Sequence, residues 1–236
     1  MTDAFKTRGF LSGDLHAFQA EYLIQFADSF DKLEAASTRA TTGLFNLQVA
    51  NLQGVETRAL LFWMKCVANC QAMFLLLERG MATQAQILLR SAAEDLFFAC
   101  ALLKDPTVLD RLVEEDLEQR RKQAEGMLKS MKSLLPEQSK DLEDLVATLP
   151  KKPNGIKAQR VAEIAGLLEL YQTVFRGMSL VAAHGTLTSV ASSVQGNDDG
   201  SLQLVFGPSP EGIEWTLSLA SLLLEHGIQE FGVLGA

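Results

Sequence analysis

The chain has 236 residues, with 29 acidic against 21 basic side chains and a formal net charge of −8. This excess of negative charge disfavours a broad DNA-binding surface and a polybasic membrane-binding surface, although one local basic patch is compatible with it. Hydrophobic residues make up 47% of the chain and charged residues 21%, a composition that excludes an intrinsically disordered protein.

Proline distribution predicts where helices can be long. All six prolines lie after residue 105, so the N-terminal part is free to be almost entirely helical. The first predicted helix begins near Asp14 as its N-cap and runs to residue 36. Apolar residues recur along it at helical spacing and predict one continuous buried face: Leu15, Phe18, Tyr22, Phe26, Phe30 and Leu33.

A long second helix is predicted to end at Gly80 as its C-terminal cap. It contains the most hydrophobic run of the chain, residues 60–77, which also includes Lys65 and other polar residues. A buried helix therefore explains this run better than a membrane span. A third helix is predicted over residues 83–104.

The sequence after residue 105 predicts shorter elements. Asp105 is expected to cap a charge-rich helix whose mixed charges mostly form a solvated face, and a short helix follows over residues 137–149. A loop near residues 150–156 is the predicted internal boundary of a single domain that spans residues 1–236. Helices are expected over residues 156–168 and from residue 169 to 184 or beyond.

A turn at residues 196–200 and the alternation of the residues after it predict a hairpin-like element. Ser209 then caps a final helix, with Pro210 at its first position. The apolar residues expected on the buried face of this helix are Trp215, Leu219, Leu222, Leu223 and Phe231. The predicted fold is an all-α single helical bundle with a short β-hairpin-like insertion before the last helix.

Three cysteines, an odd number without dense spacing, and an N-terminus without an apolar export signal predict a cytoplasmic protein. Cys66 and Cys70 share one helix face, and no histidine lies nearby to complete a metal site. We expect them to be small core residues, and we expect neither a metal nor a cofactor. The common nucleotide-binding, hydrolase and zinc-protease motifs are not found in the sequence.

Two polar groups interrupt the apolar helices. In the third helix, Arg90 and Glu94 are one turn apart on a face that also carries large apolar residues. One interpretation is an ion pair at the edge of the bundle, and the other is a half-buried pair that lines a site.

The second polar group lies in the segment after the predicted loop and consists of Tyr171, Arg176, Ser179 and His184. A core histidine with a hydrogen-bond partner is one interpretation of His184. The other makes it a ligand-binding group or a general acid and base. At 1.5 Å per residue, Arg176 and His184 lie about 12 Å apart along a helix, so they could flank a ligand.

These segments, LLRSAAEDLFFACALLKDP at residues 88–106 and YQTVFRGMSLVAAHG at residues 171–185, resemble an uncharacterised bacterial family of domain-of-unknown-function proteins. The family typically has an L-x-R-S-x-x-E helix, then a helix with tyrosine, serine and histidine, and a short β-like connection. The matching residues are Arg90, Ser91, Glu94, Tyr171, Ser179 and His184. The resemblance spans roughly residues 60–232 and implies a helical fold without a settled activity.

A looser similarity links the chain to the HEPN domains, helical bundles that include metal-independent ribonucleases with an R-x(4–6)-H motif. Seven residues separate Arg176 from His184, one more than that motif has, and Gly177 follows the arginine in place of the usual polar residue. The resemblance implies RNA as a partner, His184 as general acid and base, and Arg176 as the group that stabilises phosphate charge.

Three hypotheses follow. The leading one is a non-enzymatic binding or assembly module, in a defence or stress context, with Arg90, Glu94, Ser179 and His184 facing a shared polar pocket. The alternative is the HEPN-like ribonuclease. The second alternative is a small-molecule sensor with an apolar cavity under Trp63, Phe97 and Phe98, and homodimerisation through residues 60–77 stays open.

Overall fold

Helices form nearly all of the regular structure. The computed structural model describes residues 3–47, 54–130, 135–149, 155–180, 186–190 and 193–232. The helices are α1 (Asp3–Arg8), α2 (Leu15–Gln25), α3 (Ala27–Asn46), α4 (Gly54–Leu77), α5 (Ala82–Lys104), α6 (Val108–Ser130), α7 (Pro136–Thr148), α8 (Ala158–Ala165), α9 (Leu168–Leu170), α10 (Arg176–Met178), α11 (Leu187–Val190) and α12 (Ile213–Gly232). The prediction of an all-α fold is confirmed.

The centre of the bundle is an antiparallel pair, α4 and α5, with α3, α8 and α12 packed around it. Buried side chains of α5 lie on every side of the helix, because neighbours cover most of its circumference. Phe62 of α4 stacks on Phe98 of α5 with 5.2 Å between the ring centroids. The whole bundle therefore depends on the register in which α4 and α5 meet.

Gly80 sets that register. As the sequence predicts, it ends α4 in a left-handed conformation, with φ +69°. Its N–H donates to the carbonyl of Leu77, and the N–H of Met81 donates to that of Leu76, which completes a Schellman turn. A Cβ atom at Gly80 would come within 2.7 Å of Pro208, so a side chain is excluded by space as well as by conformation.

The prediction of one helix over residues 14–36 is wrong, because two helices, α2 and α3, cover this range. At Phe26 the backbone turns out of helical geometry, with φ −115° and ψ 26°, and separates α2 from α3. The N–H of Phe26 still donates to the carbonyl of Tyr22. The break lets α2 take its own direction, while α3 continues to Asn46 and packs on α12.

The charged helix α6 is mostly solvated, as expected, since its buried side chains are those of Val108, Glu118 and Ala124. Glu118 is buried, and it accepts hydrogen bonds from Nε and Nη2 of Arg121 at 2.8 and 2.7 Å. Arg121 also reaches Glu125 at 2.5 Å. Asp105 does act at the start of this helix, since its carboxylate accepts a hydrogen bond from the backbone N–H of Thr107.

The predicted hairpin is present before the last helix. Strand β1 (Val194–Gly196) pairs antiparallel with β2 (Leu202–Leu204), and the two are joined across the predicted turn. The final helix, α12, begins at Ile213 after a left-handed Gly212 rather than at Pro210. Of the apolar residues expected on its buried face, Leu223 and Phe231 are buried, but Trp215 and Leu222 are exposed. Thr216, Leu217, Ala220 and Leu224 are buried as well.

The helix expected over residues 169–184 is irregular where it is described. It comprises α9, a π-helical segment (Tyr171–Phe175) and α10. Preceding it, α8 ends at a left-handed Gly166. Residues 150–154 of the predicted boundary loop lie outside the described residues, so the single-domain organisation stays a prediction.

Among the described residues, one helix is long and apolar enough by composition to cross a membrane, namely α4. The same composition is typical of a core helix in a soluble protein, and eight side chains of α4 are buried in the bundle. Cys66 and Cys70 are among them, and Cys100 of α5 is also buried. Burial raises the pKa of the Cys66 thiol well above its usual value and that of Cys100 to about 12.

We predict that Gly227→Ala destabilises the fold, because the indole ring of Trp63 occupies the position that a Cβ atom would take. Overpacking of this kind lowers the free energy of unfolding by about 1–3 kcal/mol, despite the better helix propensity of alanine. Urea denaturation measures the change. Gly126→Ala is the matched control, since a Cβ atom there meets nothing within 4 Å, and it should stabilise by about 0.5–1 kcal/mol. A Gly227→Ala variant as stable as the control would contradict the prediction.

Candidate functional site

Arg90 of α5 lies at the centre of the candidate site. Its Nε donates a hydrogen bond of 2.7 Å to Oγ of Ser179, which lies 89 residues further along the chain. Its Cζ lies 4.2 Å from the centroid of the Phe175 ring, a cation–π contact. The guanidinium is thus fixed both along its edge and on one face. We call Arg90, Glu94, Phe175 and Ser179 the Arg90 site.

The π-helical segment supplies the second wall of the site. Tyr171, Phe175 and Ser179 recur at four-residue intervals, and all three lie toward α5. Phe97 of α5 lies 6.4 Å from Tyr171 and 6.2 Å from Phe175, measured between ring centroids. Ser179 also donates its hydroxyl hydrogen to the carbonyl of Phe175, at 2.7 Å, which orients its Oγ toward Arg90. Short π-helical segments are frequent at functional sites.

Glu94 is the nearest charged neighbour of Arg90, but it holds the guanidinium loosely. The distance from its Oε2 to Nη1 is 3.6 Å, too long for a good hydrogen bond. Burial raises the pKa of Glu94, although the nearby positive charge of Arg90 opposes this effect. The two side chains are 24% and 33% exposed, so the pair is half-buried and accessible from solvent.

A second polar cluster lies one residue further along α5. The buried carboxylate of Asp95 accepts hydrogen bonds from Nζ of Lys65 at 2.8 Å and from Nδ2 of Asn69 at 3.0 Å, both on α4. Burial raises the pKa of Asp95, and the bonds from Lys65 and Asn69 lower it in part. We call these three residues the Asp95 cluster, and it fixes α4 to α5 in register.

Sequence reasoning did not identify this cluster, although a signal for it exists. Lys65 and Asp95 each lie fifteen residues from Gly80, so an antiparallel helix pair that turns at Gly80 brings them together. The contribution of Phe175 was also missed. An aromatic residue beneath a guanidinium has no sequence pattern when the two residues lie on separate helices.

The structure brings some of the predicted site residues together and separates others. Arg90, Glu94 and Ser179 meet, and Tyr171 stacks on Phe175 at 5.2 Å beside them. Arg176 is exposed, and its Nη1 donates to Oε1 of Gln172 at 3.1 Å. His184 lies outside the described residues. Within the described ranges, no group of three or more histidine, cysteine, aspartate or glutamate residues is arranged to hold a metal ion.

Comparison with protein-family models matches residues 56–202 to a family described as "Family of unknown function (DUF5677)". The match covers well over half of the chain and includes both walls of the Arg90 site. It confirms the resemblance to an uncharacterised domain family. No curated protein and no solved structure matches the chain.

The Asp95 cluster generates a prediction for Lys65→Met. At pH 7 the variant leaves a buried carboxylate without its charged donor, which should lower the free energy of unfolding by about 1–3 kcal/mol. Burial raises the pKa of Asp95, and loss of Lys65 raises it further, so the variant loses stability as the pH rises through that raised value. Below about pH 3 the carboxyl is mostly neutral in both the folded and the unfolded chain, and the cost should shrink.

Urea denaturation at the two pH values measures this effect. Lys32→Met, which removes an exposed lysine of α3, is the control and should change stability by less than about 0.5 kcal/mol. A cost of Lys65→Met that is the same at both pH values would assign the effect to packing of the lysine stem and contradict the electrostatic explanation.

Proposed function

The chain belongs to the family of unknown function DUF5677, and from that premise we propose that it is a binding module that takes up an oxyanion, a carboxylate or a phosphate, at the Arg90 site. The observation that carries the proposal is a guanidinium that is fixed in place while its terminal nitrogens keep free hydrogen-bonding capacity. The proposal refines the binding hypothesis that the sequence favours.

The contacts of Arg90 determine which of its hydrogen-bond donors stay unused. Nε donates to Ser179, and the aromatic ring of Phe175 lies beneath the guanidinium plane. Neither Nη atom makes a hydrogen bond to any other residue in the described part of the chain, and the one nearby carboxylate is 3.6 Å away. Carboxylates and phosphates accept two parallel N–H bonds from a guanidinium, a geometry that lysine cannot offer.

Pre-organisation supports binding at this position. An exposed arginine loses rotamer freedom when it captures a ligand, whereas Arg90 is already held by Ser179 and Phe175. Glu94 competes for the guanidinium only weakly, because its Oε2 lies 3.6 Å from Nη1, too far for a good hydrogen bond. An incoming anion would displace a long ion pair rather than a short hydrogen bond.

A ribonuclease is the second candidate function. The observation in its favour is that Arg176 is exposed and has one of its nitrogens bound to Gln172, so an RNA phosphate could reach the rest of the guanidinium. His184 would then act as general acid and base. The test incubates purified protein with single-stranded RNA; this candidate is rejected if the RNA stays intact or if Arg176→Ala and His184→Ala retain full activity.

The wider setting inferred from the sequence also remains a prediction. This setting is a cytoplasmic bacterial protein that acts in defence or stress and forms a homodimer. The exposed apolar side chains of α4, among them Leu61, Met64 and Leu75, are compatible with a partner chain on that helix.

We predict that inorganic phosphate or acetate shifts the Nε–H resonance of Arg90 in a ¹⁵N-resolved NMR titration. The two anions identify which oxyanion the site prefers. Arg90→Lys keeps the charge but loses the fork and the stacking, so calorimetry should show binding weakened by about 10–100-fold. Glu94→Gln removes the competing carboxylate and should strengthen binding.

Arg58→Met is the matched control, because it removes an exposed arginine of α4 seven residues before Lys65. Its anion affinity should equal that of the parent protein. The proposal is wrong if neither anion shifts the Arg90 resonance, or if Arg90→Lys and Arg58→Met bind anions equally well.

A further inference from the structure

A cavity of about 280 Å³ lies between the C-terminal half of α3, Trp63 of α4 and the last turns of α12. It shares no lining residue with the Arg90 site. Its volume is nearly twice the roughly 150 Å³ that holds a benzene molecule in an engineered protein core, and it is close to the lower end of ordinary ligand pockets, about 300 Å³.

We propose that this cavity binds a small amphiphilic carboxylate, with the apolar part against Trp63 and Phe231 and the carboxylate at Arg39. The inference goes beyond the Arg90 site, since it assigns a second site with a different ligand. The sensor hypothesis expected an apolar cavity under Trp63, Phe97 and Phe98, whereas this cavity includes Trp63 and lies away from the two phenylalanines.

The apolar wall of the cavity is rigid. The rings of Trp63 and Phe231 stack with 5.6 Å between their centroids and 12° between their planes. Trp63 is 2% exposed and Phe231 4%, so tight packing holds both rings in place. Leu44, Leu47 and Ile228 complete this wall.

Arg39 gives the cavity its charge preference. Among the described residues that line the cavity, Arg39 is the one with a charged side chain, and it is 57% exposed. It forms an ion pair with Glu225 of α12 through one terminal nitrogen, Nη2. The guanidinium has five N–H donors, so it can hold a ligand carboxylate while this pair is kept.

Two of the three residues expected to enclose an apolar cavity have other roles. Phe97 is fully buried against Tyr171 and Phe175, and Phe98 stacks on Phe62. Neither lines the cavity, whereas Trp63 does. The sequence alone could not separate them, because all three lie on apolar helix faces.

Gly43 of α3 offers a way to close the cavity without disturbing the core. It lines the cavity, and a Cβ atom at this position meets nothing within 4 Å. A leucine side chain there would occupy the space proposed for the ligand. Leucine also has a higher helix propensity than glycine, so the fold should be kept. Gly126→Leu in α6 is the matched control, since a Cβ atom there also meets nothing within 4 Å.

The test titrates the full-length protein with octanoate by calorimetry, and Trp63 fluorescence is followed in a Trp215→Phe background. The titrations are repeated with Arg90→Met, so that carboxylate binding at the Arg90 site is not counted. We expect octanoate to bind this variant and octan-1-ol to bind at least tenfold more weakly. Gly43→Leu should lower octanoate affinity at least tenfold, while Gly126→Leu leaves it unchanged.

Arg39→Gln should reduce the affinity for octanoate to that for octan-1-ol and leave octan-1-ol binding unaltered. The proposal is overturned if octanoate does not bind the Arg90→Met variant, if Gly43→Leu binds it as well as Gly126→Leu does, or if octan-1-ol binds equally well. Failure of the Arg90 site appears instead in the phosphate titration, which is followed at the Nε–H resonance of Arg90 itself.

Discussion

The antiparallel pairing of α4 and α5 around Gly80 is the constraint on which the rest of the structure depends. The left-handed turn at Gly80 fixes the register, and the contacts Phe62–Phe98 and Lys65–Asp95 lie at equal distances from it along the two helices. Once α5 is placed in this way, α8, α12 and the π-helical segment pack around it. Because these elements cover α5, its polar residues Arg90, Glu94 and Asp95 are partly or fully buried.

Three charged residues of α5 are accommodated in three ways. Asp95, the most buried, receives hydrogen bonds from Lys65 and Asn69. Arg90 rests on Phe175 and donates to Ser179, and Glu94 keeps partial contact with solvent. A buried charge is costly unless it is paired and hydrogen-bonded. The three groups therefore differ in how completely their hydrogen-bonding atoms are paired. Asp95 acts as a structural link, whereas neither Nη atom of Arg90 has a hydrogen-bond partner among the described residues.

Much of the fold could be predicted from local sequence signals, and the failures have physical causes. Gly80 marks a helix end because glycine readily adopts the left-handed cap conformation, and prolines mark helix ends because they fix φ and lack an N–H donor. The break at Phe26 carries neither glycine nor proline, so no local signal in the sequence marks it. The buried face of α12 was misplaced at Trp215 and Leu222 because apolar residues surround that helix.

The candidate site was predictable only in part, for a related reason. Arg90 and Glu94 stand out as charges within an apolar helix, and Ser179 as a polar residue in a later segment. Their contact depends on how two distant segments pack, which local spacing does not encode. The position of the cavity at Trp63 depends on the same long-range packing.

The π-helical segment makes the Arg90 site sensitive to chain length as well as to residue identity. A π-helical turn accommodates an extra residue within an otherwise α-helical path. Deleting one residue between Tyr171 and Phe175 would leave every side chain of α5 unchanged and let the segment shorten to an α-helical turn, so the helix after it would keep its direction. The interval between Tyr171 and Phe175 would then be three residues instead of four, and the two rings would no longer meet Phe97 in their present positions. Insertions and deletions in this short segment are thus a route by which related chains could gain or lose the site while keeping the bundle.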